Sequence, residues 1–152
     1  MLVSKTDHIH YICWYLFPTC FTVRRFKKIL ECFLTLNCRA DLLDKLKEDA
    51  TAAGLELEVR RVDVTRKEDI TDLAKDINQL HILFNCAGYV HQGSIFDCTD
   101  EIFERSFNIN LRSMFWTCKK LAPVLEDGGS IINMSSVCSS IKGAPNRFVL
   151  WM

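Results

Sequence analysis

Residues 130–140 read S-I-I-N-M-S-S-V-C-S-S, and the rest of the chain is arranged around this stretch. Ile131, Ile132 and Met134 make an apolar run short enough for a buried strand, and polar Asn133, Ser135 and Ser136 end it. A buried strand that stops in small hydroxyl residues predicts a site at the carboxyl edge of a parallel sheet, where open α/β folds bind ligands. The plainer alternative is a strand that closes in a serine-rich turn.

Immediately upstream, Asp127-Gly128-Gly129 reads as the turn into this strand. Residues 99–125 read as a long helical region with Thr99 as its N-cap and Ile102, Phe103, Phe107, Leu111, Phe115, Cys118 and Leu121 among its apolar positions. Asn108 and Asn110 lie inside it, and Asn competes for backbone groups, so the spacing predicts a local break near Asn110. Ile82-Leu83-Phe84 is a short apolar strand ending in Asn85-Cys86-Ala87-Gly88, where Gly88 permits a turn and close approach by a ligand.

Further back, Leu55-Glu56-Leu57-Glu58-Val59 alternates as a strand does, and Val62-Asp63-Val64 carries it to a polar end. Thr65-Arg66-Lys67-Glu68 has the form of a capping box, followed by the stripe Ile70, Leu73, Ala74 and Ile77. Residues 40–53 predict a helix with Leu42, Leu43, Leu46, Ala50 and Ala53 on one face and Gly54 as its C-cap. In the first third, residues 9–17 read as a core strand, residues 22–33 as a basic helix, and Leu34–Leu36 as the end of a second strand. Alternating strands and amphipathic helices argue for an α/β fold, a doubly wound, Rossmann-like parallel sheet.

A chain of 152 residues can bury one core, and a formal net charge of zero gives no electrostatic case for nucleic acid. Residues 9–23 (IHYICWYLFPTCFTV) are apolar but too short to span a bilayer, and Pro18 interrupts them. A signal peptide or anchor there is the alternative to a core strand. The eight cysteines show no C-x-x-C pair and no zinc spacing with His, which reads as reduced thiols in a cytoplasmic protein without a metal.

Four features in order resemble the short-chain dehydrogenase/reductase family: Asp63-Val64-Thr65 after a strand, Asn85-Cys86-Ala87-Gly88, Asn108-Ile109-Asn110-Leu111, and the strand of residues 130–137. Residues 84–98 (FNCAGYVHQGSIFDC), 110–115 (NLRSMF) and 131–147 (IINMSSVCSSIKGAPNR) look like the family's cytosolic 3-hydroxybutyrate dehydrogenase branch. The resemblance covers roughly residues 37–149, which divides the chain into a divergent segment, 1–36, and a partial dinucleotide-binding domain, 37–152.

The resemblance implies an oxidoreductase acting on 3-hydroxybutyrate or a similar small hydroxy or oxo acid, with NAD as cofactor. It places Asp63 beside the adenine and Asn85, Ala87 and Gly88 along the cofactor's path. It gives Asn110 a part in a proton relay and makes Ser136 the hydrogen-bond donor to the substrate oxygen. Arg147 matches an arginine that pairs with the substrate carboxylate, with an exposed surface charge as the equal alternative. Asn37 stands where the family has its NAD-selecting acid, with Arg39 nearby, and an arginine suits the phosphate of NADP.

Two departures bear on activity. Residues 13–19, CWYLFPT, stand where the family has a glycine-rich phosphate loop, and all six glycines lie at or beyond position 54. Leu150 stands where the family has its proton-donating tyrosine, and the following lysine's place lies beyond Met152. The expectation is a truncated isoform with an incomplete sheet, catalytically incompetent, its residue 130 strand an apolar exposed edge. The alternative role is a non-catalytic subunit pairing with full-length members, or with its own kind, through residues 99–125.

Overall fold

The structure, a computed structural model, describes residues 10–14, 32–37, 40–54 and 57–136, the first two segments as backbone. Five parallel strands form one sheet in the order β3-β2-β1-β4-β5. They are β1 (His10–Trp14), β2 (Cys32–Asn37), β3 (Leu57–Arg61), β4 (Leu80–Asn85) and β5 (Leu125–Asn133). The helices are α1 (Ala40–Ala52), α2 (Lys67–Asp76), α3 (Asp100–Phe107) and α4 (Ser113–Leu121).

The strand order runs outward from β1 to β3, then returns to β4 and β5. Right-handed crossovers then place α1 on one face, and α2 and α4 on the other. Consistently, α1 packs on β2 and β3, while α2 and α4 pack on each other. The doubly wound arrangement expected from the alternating pattern is thus what forms, with its reversal point between β1 and β4.

β1 hydrogen-bonds to β2 and to β4, so the divergent first segment contributes the central strand. Of the predicted residues 9–17, residues 10–14 form this strand, and the others lie outside the described residues. Residues 10–14 of the candidate anchor are spent in this strand. Among the described residues no helix is long and apolar enough to cross a membrane. The basic helix predicted over residues 22–33 lies mostly outside the described residues, but its last two, Cys32 and Phe33, begin β2.

The core gathers Val62, Ile70, Leu73, Leu80, Leu83 and Leu121, with Trp116, Ala74 and Ile77 packed against it. Each fully buried Leu or Ile contributes about 1.5–3 kcal/mol. The α1 face is as the spacing predicts: Leu43 and Ala50 are buried, Leu42, Leu46 and Ala53 half-buried. Gly54 ends that helix at φ 67°, a conformation only glycine adopts at no steric cost.

Two local expectations are corrected. The predicted box at residues 65–68 does not form: α2 starts at Lys67 with no side-chain cap, and the Thr65 hydroxyl and N–H both donate to Asp63 instead. A reciprocal capping box forms at Ser94 and Asp97. Asp127-Gly128-Gly129 is not a turn before the strand but lies within β5, opposite a register shift between Leu80 and Ile82. A Cβ at Gly129 would stand 2.9 Å from the Glu126 carbonyl oxygen and 3.0 Å from that of His81, so β5 can approach β4 here only through glycine.

The long helical region keeps its predicted N-cap, since the Thr99 hydroxyl accepts from the Ile102 N–H. It also keeps its predicted break. Asn108–Arg112 form one wide turn in which the Ser113 N–H reaches back five residues to the Asn108 carbonyl. The region ends earlier than predicted, in a tight turn over Ala122–Val124 before β5 begins at Leu125. The face it buries is not its most apolar one. Ser106, Ser113, Thr117 and Leu121 are buried, while Phe103, Leu111 and Phe115 are exposed.

Among the described residues β5 is an edge of the sheet, and Ile131, Ile132 and Met134 remain 38%, 46% and 49% exposed. The exposed apolar edge expected from the sequence is therefore present.

Candidate functional site

All five strands are parallel, so their carboxyl ends lie on one side of the sheet, and there residues at or just past the ends of β3 and β4 and on α4 line a small cleft. Asn85 and Asn133, the last residues of β4 and β5, are register partners. The ladder continues one step further, with the Met134 N–H donating to the Asn85 carbonyl at 2.8 Å. Val64, Asn85, Ala87, Ser113, Met114 and Thr117 line the cleft, so its walls come from β4, from the segment after β3 and from α4.

Asn85 forms the floor. Its side chain is buried, where an unmatched amide would be costly, and both ends are matched. The Thr117 hydroxyl donates to Oδ1 at 2.8 Å. Nδ2 donates to the Asn133 Oδ1 at 2.8 Å and touches the Cys118 sulfur at 3.5 Å. These contacts tie α4, β4 and β5 together beneath the site.

Ala87 and Gly88 follow as the rim. Among the described residues a Cβ at Gly88 would meet only the Asn110 Oδ1, at an ordinary 3.5 Å, and its φ is not positive. The protein's own packing therefore does not demand glycine here, and the bare Cα leaves space on the cleft side. Next to it, Asn110 holds the Tyr89 backbone at both ends. The Tyr89 N–H donates to Oδ1 at 2.7 Å, and Nδ2 donates to the Tyr89 carbonyl at 2.9 Å. The Asn110 carboxamide is thus a clamp on the loop after β4. The Arg105 guanidinium sits 4.3 Å from the Tyr89 ring centroid and fastens the same residue from α3.

Asp63 lies after β3, half-buried. Its Oδ1 accepts from the Thr65 hydroxyl at 2.7 Å and N–H at 2.9 Å, and its own N–H donates to Asp69 at 3.0 Å. Ser136 lies three residues beyond β5 and is half-buried. Asp63, Asn85, Ala87, Gly88 and Ser136 are all placed on the carboxyl side of their strands, and Asn110 on the helical region behind them. Arg147 and residues 15–19 lie outside the described residues.

Cys86, half-buried beside this floor, has its thiol pushed up by burial, which favours the neutral form over the thiolate. Among the described residues no cluster of His, Cys, Asp and Glu could hold a metal ion. Thr117, Asn133 and Cys118 are the functional neighbours that sequence reading missed. The only available signal was the four-residue spacing of Ser113, Thr117 and Leu121 on one helix face.

Comparison with known proteins agrees with this architecture. A family model described as enoyl-(acyl carrier protein) reductase matches residues 32–150. Dehydrogenase/reductase SDR family member 6 of Xenopus laevis is 46% identical over 107 residues, 69% of this chain and 43% of that protein. This chain belongs to the short-chain dehydrogenase/reductase family.

Within the family it is also similar to the 2-keto-3-deoxy-L-fuconate dehydrogenase of Xanthomonas campestris, 59% identical over 90 residues, 58% of this chain and 30% of that protein. The chain thus spans less than half the length of these curated relatives. A short-chain dehydrogenase/reductase from Burkholderia phymatum, solved in complex with NAD, superposes with a TM-score of 0.83 over 97% of this chain and 56% of its own, at 17% identity. A blue fluorescent protein from a metagenomic library, solved with NADPH, gives 0.80 over 94% of this chain and 62% of its own, at 20% identity. At such identities these two structures speak for the fold.

Proposed function

We propose that this chain carries the nucleotide-binding side of an oxidoreductase that moves hydride between a nicotinamide dinucleotide and a small hydroxy or oxo acid, and that these 152 residues alone perform no turnover. One observation carries the reading. Asp63, Asn85 to Gly88 and Ser136 stand at one sheet edge, around a Gly88 whose bare Cα the fold does not itself require. That vacant Cβ position fits a flat ligand laid across the end of β4. Asp63 would hold the adenosine end, and Ala87 and Gly88 would face the middle. The dinucleotide, NAD in the branch this chain resembles, would supply or accept the hydride.

The chain's own residues would orient the partner. The Ser136 hydroxyl would donate to the substrate oxygen and stabilise charge growing there. Arg147 would pair its planar fork with a carboxylate, which favours 3-hydroxybutyrate or a similar small acid. Asn110 acts by clamping Tyr89, and so by fixing Gly88 next to it. The division between residues 1–36 and 37–152 is one of descent, since both sides share the sheet. Free Cys86, Cys98 and Cys118 support a reducing, cytoplasmic setting.

Inactivity follows from two side-chain facts. Leu150 has no proton to give a forming alkoxide, and such general acid catalysis is worth about 10²–10⁴-fold. By the resemblance residues 13–19, CWYLFPT, take the place of the family's glycine-rich loop, and side chains there would crowd backbone that must approach a pyrophosphate. The test is NADH oxidation with acetoacetate, and NAD reduction with 3-hydroxybutyrate, by the purified chain. Rates equal to those of a Ser136→Ala control support the reading, and turnover above that control overturns it.

A second reading rests on Leu111 and Phe115, which are 58% and 57% exposed. With Phe103 and Phe107 they stand at four-residue intervals along the helical region. This stripe supports pairing with another family member, with the chain as a non-catalytic subunit. Co-purification with a full-length homologue tests it, and failure to co-elute removes it.

A further inference from the structure

The Arg105 guanidinium stands over the Tyr89 ring, 4.3 Å from its centroid, with no carboxylate paired to it among the described residues, and we infer that it binds the carboxylate of the incoming acid at the rim of the cleft. The inference rests on the acid substrate proposed above and deepens it, adding a second cation to Arg147 for the same group.

Tyr89 marks the rim. It follows Ala87 by two positions, and its backbone is bonded at both ends to Asn110, three positions before Ser113. Ala87 and Ser113 both line the cleft. Arg105 is exposed on α3 and rests on the half-buried Tyr89. Attraction to a ring face uses no carboxylate or carbonyl oxygen, so the guanidinium keeps donors for one. A side chain already held against a ring also loses less freedom when an anion arrives.

The acids around Arg105 are engaged elsewhere. Glu101 precedes it by four positions, the spacing at which a helix pairs opposite charges. Glu101 turns instead to the Thr99 side chain, whose hydrogen bond, with one from its own backbone, holds its carboxyl below the ordinary 4.5. Glu104 lies 3.9 Å from Arg112, and Asp97 is bonded to Ser94. Asp100, five positions back, lies on another side of α3. Arg60 and Arg66 differ from Arg105, since Asp76 and Asp69 of α2 match their charges.

The test is NMR titration of the isotope-labelled chain with acetoacetate and, separately, with its uncharged methyl ester. The acid is expected to shift the Arg105 Nε–H and Tyr89 amide signals and to bind about fivefold more tightly than the ester, the worth of one exposed ion pair. The difference should shrink as salt rises. Arg105→Gln should bring the two ligands together without weakening the ester. Arg105→Lys, which keeps the charge but not the planar fork, should retain part of the difference. Arg112→Gln, which removes a cation that already faces Glu104, should retain all of it. A preference unchanged in Arg105→Gln overturns the assignment and leaves the acid reading in place, carried by Arg147 alone. Equal binding of acid and ester, or binding of neither, overturns both.

Discussion

Asn110 and Tyr89 lock together through a matched pair of hydrogen bonds, in which one carboxamide accepts from the Tyr89 N–H and donates to the Tyr89 carbonyl. Twenty-one residues separate them, and the wide turn of the helical region at Asn108–Arg112 is what presents this carboxamide to the loop after β4. Asn110→Ala should therefore cost about 1–3 kcal/mol of unfolding free energy, the range for stranding half-buried backbone groups. Hydrogen exchange at the Tyr89 amide should accelerate, while exchange in α1 stays as it is. Unchanged protection at Tyr89 would show that the loop is held by something else.

Thr117 is the buried donor to Asn85. Thr117→Val keeps shape and volume but leaves the Asn85 oxygen without its donor, so a loss of about 1–3 kcal/mol is expected. Urea unfolding measures it. Thr71, whose exposed hydroxyl only bonds back to Lys67 within α2, is the control, and Thr71→Val should fall within about 0.5 kcal/mol of the parent.

Ser94 gives Asp97 two hydrogen bonds, from its hydroxyl at 2.6 Å and its N–H at 2.9 Å. These bonds hold the Asp97 carboxyl below its ordinary value of 3.8, with a smaller contribution from His91. A carboxylate whose folded value is depressed stabilises the fold above the unfolded value, and this is lost as pH falls through the folded one. Ser94→Ala should then lower the urea midpoint near neutral pH, and the gap from the parent should close as pH drops below 3.8. A gap independent of pH would assign the effect to packing.

Leu111 and Phe115 face outward, and Lys119 lies 5.5 Å from the Phe115 ring centroid. Leu111→Asp with Phe115→Asp should leave the helix folded, because neither side chain is buried. If the stripe pairs with a full-length family member, the double variant should no longer co-elute with it on gel filtration. Co-elution retained by the variant would place the contact elsewhere.

The strand ends were legible because each apolar run stops in a polar residue: β4 in Asn85, β5 in Asn133 and the serines beyond. The break at Asn110 was legible because asparagine is a poor interior helix residue. The floor of the site was not, because Thr117 and Asn133 meet Asn85 across 32 and 48 residues and neither carries a local signal. The box at residues 65–68 misled because Asp63, two positions back, captures the Thr65 hydroxyl that the helix would have needed. The helical region misled because apolar residues mark a face without saying which face turns inward. Here small Ser113 and Thr117 let α4 lie close to the sheet.

The most direct test of the account is Gly88→Ala, followed by NADH fluorescence titration. The fold has room for the added methyl, so the urea midpoint should hold or rise slightly, by the equivalent of about 0.4–1 kcal/mol. The account predicts weak NADH binding in the parent chain, because residues 13–19 replace the glycine loop, and none in this variant. Binding equal in both, or absent from the parent, would contradict it.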